Sequence, residues 1–103
     1  MYLQITVNFS ASWCKPCRVF APFYSELSKR YPTLLFLIVD VDELTALTGV
    51  LYIRATPTIF FREDGEQLDK LVGANQPELE NKLAKLAKPT STNWLEDREL
   101  PNV

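Results

Sequence analysis

The sequence predicts an α/β domain built on a mixed four-stranded sheet, with three helices covering both faces. Three observations carry this reading. Two apolar segments of strand length, residues 3–9 and 34–40, bracket a long helical pattern. Two further strand-like segments are joined through Glu63-Asp64-Gly65-Glu66. A last segment carries leucines at helical spacing.

Each element has a local reason. Leu3, Ile5, Val7 and Phe9 alternate with Gln4, Thr6 and Asn8, which is the two-residue period of a strand. Residues 14–31 read as a helix. Pro16 falls in its first turn, where a missing N–H costs little; Pro22 lies inside and should kink it; Tyr31-Pro32 ends it. Residues 34–40 are apolar up to Asp40, as in a buried parallel strand. Asp42 is placed to cap a short helix over residues 43–51. That helix should be weak, because Gly49 falls inside it and Tyr52 stands at an exit that favours Gly or Asn. Residues 58–62 and 67–72 form the hairpin strands. Asn75 caps the last helix, Pro77 sits in its first turn, and Leu79, Leu83, Leu86 and Ala87 recur on one face. Lys82, Lys85 and Lys88 suit the negative end of its dipole, and Pro89 stops it. The domain is therefore residues 1–88. Residues 89–103 form a polar tail, in which 93–100 have the length for a helical turn or two. The order β-α-β-α-β-β-α makes the first two strands parallel, through a right-handed crossover, and the last two antiparallel.

With 103 residues there is room for one small domain. Net charge is −2 and the signs are mixed, so nothing points to nucleic acid or to an anionic membrane surface. The longest strongly apolar run, residues 34–39, is far too short to span a bilayer. The N-terminus shows no basic region followed by a long apolar segment, so the expected location is the cytoplasm.

The chemistry concentrates in Trp13-Cys14-Lys15-Pro16-Cys17, which holds both cysteines of the chain. The pair falls where the first strand gives way to the first helix. There the first thiol meets free backbone N–H groups and the positive end of the helix dipole. That setting favours thiolate, the reactive form. The second cysteine follows one turn later, within reach of a tight disulfide. Inert buried cysteines and a metal site are the alternatives. A zinc site would lack ligands, since the chain has no histidine and no second cysteine pair, unless two chains shared one.

Taken with the motifs around it, the chain resembles the thioredoxin family, and most of all plant cytosolic h-type thioredoxins, over residues 5–88. The carriers are Ala11-Ser12-Trp13-Cys14, Pro16-Cys17-Arg18, Pro22, Val39-Asp40-Val41-Asp42, Ala55-Thr56-Pro57-Thr58, Asp64-Gly65 and Val72-Gly73-Ala74-Asn75. The resemblance implies a thioredoxin-like fold with strand order 2-1-3-4. It implies thiol–disulfide exchange, with Cys14 attacking and Cys17 resolving, and no bound cofactor or metal. It implies protein disulfides as substrates, and thioredoxin reductase or glutathione with glutaredoxin as electron donor. It implies a cis Thr56-Pro57 bond that sets the Thr56 backbone beside Cys14 for an extended substrate, with Gly73 leaving room. Trp13, Ala55 and Ala74 would complete a shallow apolar patch.

Departures from the family's pattern sharpen these expectations. Asn8 stands where the family usually has a buried Asp, and Ile38 where it often has a Lys. An amide takes no proton at neutral pH, so Asn8 should slow the resolving step. Lys15 replaces the usual Gly between the cysteines and should favour the Cys14 thiolate. The motifs also begin late, since a further strand and helix would precede residue 3. The 34–39 strand is then expected at an edge, inviting self-association, with Trp94-Leu95 a candidate cover. Two further functional classes compete with a disulfide reductase: a redox-linked binding or regulatory module with weak turnover, and an oxidase or isomerase.

Overall fold

The computed structural model describes residues 4–87. The tail 89–103, its Trp94-Leu95 segment, Lys88 and Pro89 lie outside the described residues. Four strands, β1 (Gln4–Ser10), β2 (Leu35–Asp40), β3 (Thr58–Glu63) and β4 (Glu66–Val72), form one sheet in the order β2-β1-β3-β4. Three helices, α1 (Lys15–Arg30), α2 (Thr45–Val50) and α3 (Gln76–Ala87), complete the domain. β1 pairs parallel with β2 and antiparallel with β3, and β3 pairs antiparallel with β4. The turn between β3 and β4 puts Asp64 at φ 53° and Gly65 at φ 86°. Both central residues are left-handed, the geometry whose twist suits a hairpin, and Asp-Gly is a pair that tolerates it.

Alternation along β1 divides the interior. Thr6 and Asn8 face one side of the sheet, and Val7 and Phe9 the other. On the first side Phe20, Tyr24 and Leu27 of α1 and Leu79, Leu83 and Leu86 of α3 bury against Ile59, Phe61 and Leu71. Their spacing of three to four residues gives each helix one apolar stripe. On the second side Phe9, Ala11, Cys14, Cys17, Val41 and Phe60 form a smaller cluster, with Leu51 and Ile53 against it. Phe9 meets Phe60 edge to face at 5.0 Å. The redox pair is therefore built into the packing of this second cluster. Two ion pairs tie the larger layer together: Arg30 with Glu80 between the helices, and Lys82 with Asp69 at 2.7 Å between α3 and β4. The Lys82 ammonium holds the Asp69 carboxyl below its ordinary range.

Two expectations about the elements change, and one holds. Asp42 does not cap α2: the helix begins at Thr45, its N-cap is Leu44, and no side chain satisfies its first N–H groups. α2 has six residues and buries none of them, so it is the weakest element, as Gly49 and Tyr52 implied. Tyr52 takes φ 57°, the left-handed exit that suits Gly or Asn. β2 is not buried on both faces. It sits at the sheet edge, as the late start of the family's motifs implied, with Ile38 62% exposed and Leu37 also out in solvent. By contrast, Asn75 caps α3 as its position requires, its Oδ1 accepting from Glu78 N–H at 3.0 Å. Tyr31 closes α1 with its N–H on Leu27 O.

Tyr24 joins the α1 layer to the sheet by polar contacts. Its hydroxyl pairs with Thr6 Oγ1 at 2.8 Å and donates to Leu37 O at 2.9 Å. Burial pushes the phenol well above its ordinary range. Above about pH 10 an unfolded Tyr24 loses its proton while the folded one keeps it, so the unfolded state binds fewer protons and stability falls as pH rises. Tyr24→Phe should lower stability at neutral pH by about 1–2 kcal/mol and flatten that alkaline loss. Urea denaturation at pH 7 and pH 10.5 measures both: an unchanged neutral stability would refute the hydrogen-bond contribution, and an alkaline loss as steep as the parent's would refute the linkage.

Candidate active site

The first strand ends at Ser10 and the chain turns once before α1 begins. Cys14 is the N-cap of that helix, with extended backbone. Its Sγ accepts the Cys17 N–H at 3.2 Å, one of the helix's otherwise unpaired donors. Pro16 stands in the first turn, where its missing N–H removes nothing the helix needs. Cys14 and Cys17 are joined as a disulfide, with Cα atoms 5.2 Å apart. Exposure hardly separates them: both are buried, at 5% and 3%. Position does, since Cys14 caps the helix while Cys17 lies in its first turn.

Tertiary contacts bring in three distant segments. Thr56-Pro57 is cis, and the Thr56 carbonyl oxygen lies 3.5 Å from Cys14 Sγ. Gly73, at φ 104°, donates its N–H to Pro57 O at 2.8 Å, which pins the loop after β4 against the proline turn. Open space surrounds the position where a Gly73 side chain would begin, so the left-handed backbone is what calls for glycine. Trp13 is 66% exposed and held by its indole N–H, which donates to Asp42 Oδ2 at 2.8 Å. Asp42, expected as a helix cap, thus orients the tryptophan beside the sulfur. Its own N–H is held by Asp40 Oδ1 at 2.8 Å. On the far side of Pro16, an apolar hollow of about 340 Å³ opens between α1 and the start of α3, lined by Lys15, Pro16, Val19, Phe20, Ala74 and Gln76. Val19 and Gln76 were not among the residues the sequence singled out; only the meeting of two helices reveals them. Ala55 and Ala74 are both exposed beside the site, as expected.

Asn8 is 2% exposed, and its Oδ1 is the one fully buried side-chain polar atom without a hydrogen-bond partner among the described residues. Its neighbour across the β1–β2 ladder is Ile38. A groove lined by Ile38, Asp40 and Cys17 connects that strand to the second cysteine. A carboxylate at position 8 would therefore be buried with no cation facing it across the ladder. Asn8→Asp is expected to raise that carboxyl's pKa, and each unit of upward shift costs about 1.4 kcal/mol of stability at pH 7. The sign follows from proton binding: above the ordinary Asp range the folded state holds the extra proton, so stability falls with rising pH until the folded pKa is passed. Adding Ile38→Lys should restore most of the loss. Denaturation at pH 4.5 and pH 8 checks this, and equal stability of Asn8→Asp at both would overturn it.

No cluster able to hold a metal ion exists among the described residues, and none of their helices is long and apolar enough to cross a membrane.

A β-α-β-α-β-β-α domain with a cysteine pair at the first helix start, facing a cis-proline turn, defines the thioredoxin-like class. The family comparison agrees: the thioredoxin model matches residues 3–85. Thioredoxin H4-1 of Oryza sativa subsp. japonica is 60% identical over 83 residues, covering 81% of this chain and 63% of the rice protein. Thioredoxin H9 of Arabidopsis thaliana is 51% identical over 82 residues, covering 80% of this chain and 59% of that protein. The crystal structure of a poplar thioredoxin h superposes with a TM-score of 0.81 at 52% identity, over 84% of this chain and 78% of the poplar chain. The chain belongs to the thioredoxin family, with plant h-type members among its relatives. It spans somewhat under two thirds of the length of those two curated relatives.

Proposed function

We propose that this protein is a thiol–disulfide oxidoreductase that reduces protein disulfides. The observation that carries the reading is the Cys14–Cys17 disulfide at the start of α1, with the Cys14 sulfur facing the Thr56 carbonyl of the cis-proline turn. In the reduced protein the Cys14 thiolate attacks one substrate sulfur, forms a mixed disulfide and releases the other as thiolate. Cys17 then attacks the Cys14 sulfur, the enzyme disulfide forms, and the second substrate thiolate leaves. Two electrons pass from the enzyme dithiol to the substrate, and the two product thiolates take up two protons, one given up by Cys17 directly or through water and one from solvent.

The surroundings support specific roles. The Cys17 N–H and the α1 dipole stabilise negative charge on Cys14 Sγ, and the exposed Lys15 ammonium adds positive charge nearby. Thr56 offers backbone to an extended substrate, with Pro57 holding the turn and Gly73 leaving clearance. Trp13, Pro16, Ala55 and Ala74 supply the apolar rim. Asn8, an amide that cannot accept a proton, leaves the proton of Cys17 to water or to the departing thiolate. The electron donor is a thioredoxin reductase or glutathione with glutaredoxin, and the setting is the cytoplasm.

Turnover of a protein disulfide with NADPH and a thioredoxin reductase tests the reading. It should proceed, and the Cys14/Cys17 couple should titrate nearer about −270 mV than −120 mV. A potential near the second value would mark an oxidant instead. The buried amide of Asn8 favours a second reading, a redox-linked binding module with slow resolution. Partner binding that survives loss of both cysteines, with no turnover in the intact protein, would replace the enzyme reading by that one.

A further inference from the structure

A groove lies on the opposite side of the proline turn from the Lys15–Ala74 hollow. Tyr52, Arg54 and Ala55 form one wall, Lys70 stands on the other, and Thr58 and Phe60 lie between them. Lys70 is the β4 partner of Phe60 in the sheet, so register fixes its place over that ring. Two cations and no carboxylate line the groove. Neither Arg54 nor Lys70 forms a salt bridge among the described residues, whereas Arg30 and Lys82 both do. Arg54 instead lies over the Tyr52 ring, 5.8 Å from its centroid. Tyr52 is a non-glycine residue held at positive φ and is 74% exposed. The left-handed backbone closes the α2 exit, with the Ile53 N–H on Thr48 O at 3.1 Å, and leaves the tyrosine facing solvent. The groove is continuous with the proline turn, because Ala55 and Thr58 flank Thr56-Pro57.

We infer that this groove reads an acidic side chain of the substrate. A chain laid along the Thr56 backbone, with its disulfide at Cys14, would carry a Glu or Asp a few residues away into the field of Arg54 and Lys70. The inference rests on the disulfide-reductase reading and names the substrate class: disulfides flanked on one side by an acidic residue. Positive charge at a rim raises encounter rate and selects partners more than it adds affinity.

The test uses a series of disulfide peptides, neutral except for one Glu moved stepwise along the chain. One position should raise kcat/KM about fivefold over the neutral peptide, as two partly exposed charge contacts allow, and the gain should shrink at high salt. In the Arg54→Gln, Lys70→Gln protein the gain should vanish while the neutral peptide is reduced as before. In Arg54→Glu, Lys70→Glu the same position should favour Lys. Equal rates at every Glu position, or a gain that survives the Gln substitutions, would overturn the inference. If no peptide is reduced, the reductase reading fails separately. Equilibrium binding of the same peptides to the Cys14→Ser, Cys17→Ser protein then decides the groove alone: tighter binding of one Glu position supports it, and uniform binding refutes it.

Discussion

Replacing Cys17 by Ser is expected to stop the reaction halfway. Cys14 still caps α1 and still meets the Thr56 carbonyl, so it should attack a substrate disulfide and keep it as a mixed disulfide. Without the second thiol in the first turn, no intramolecular route breaks that bond. Cys14→Ser should do the opposite and capture nothing, because a hydroxyl at this site is a far weaker nucleophile than a thiolate. Both variants should lose turnover to the background level, a drop on the order of a thousandfold or more, since two groups acting as a unit fail together. Intact-mass measurement after exposure to a protein disulfide separates them: an adduct one substrate heavier for Cys17→Ser and none for Cys14→Ser. An adduct of similar yield on both would show that exchange does not begin at Cys14.

The second large effect is on stability. Phe61 is 1% exposed in the middle of β3 and belongs to the cluster that joins α1 and α3 to the sheet. Phe61→Ala removes that ring from a layer that cannot collapse around the gap, because strands on both sides hold their hydrogen-bonded spacing. A loss of about 3–5 kcal/mol is expected. Against the 5–15 kcal/mol typical of a whole domain, that is enough to leave a substantial unfolded fraction at modest denaturant. Leu68→Ala, at an exposed position of β4, should change stability by about 0.5 kcal/mol or less. Urea midpoints for the two variants give the comparison, and a Phe61→Ala protein within about 1 kcal/mol of the parent would contradict the packing argument.

Where the sequence was misleading, the reason is specific. Asp42 before an apolar stretch has the look of a helix cap, and nothing within ten residues says otherwise. Its actual partner, Trp13, is 29 positions away and comes into reach only when β2 docks beside β1. The run of apolar residues in β2 reads by its pattern as a buried strand; only the late start of the family's motifs points to an edge, and the sheet does end there and leaves Ile38 in solvent. Burial depends on what lies beyond a strand, and no pattern inside the strand records it. Resemblance alone marks Asn8 as a departure. That its amide is buried and that Ile38 sits directly across from it are facts of register.

By itself the sequence determined the element order, the hairpin, the cap of α3 and the redox cysteine pair at a helix start. Each depends on residues within about one or two turns of one another, and short-range geometry and backbone preference decide them. The tertiary structure alone decided which distant groups surround the sulfur. The resemblance points to Thr56 and Gly73, but the 3.5 Å approach of the Thr56 carbonyl, the hydrogen bond from Gly73 to Pro57 and the Asp42 anchor of Trp13 join segments far apart in the chain. Sheet register and the closing of long loops set their separations, and those are properties of the whole fold.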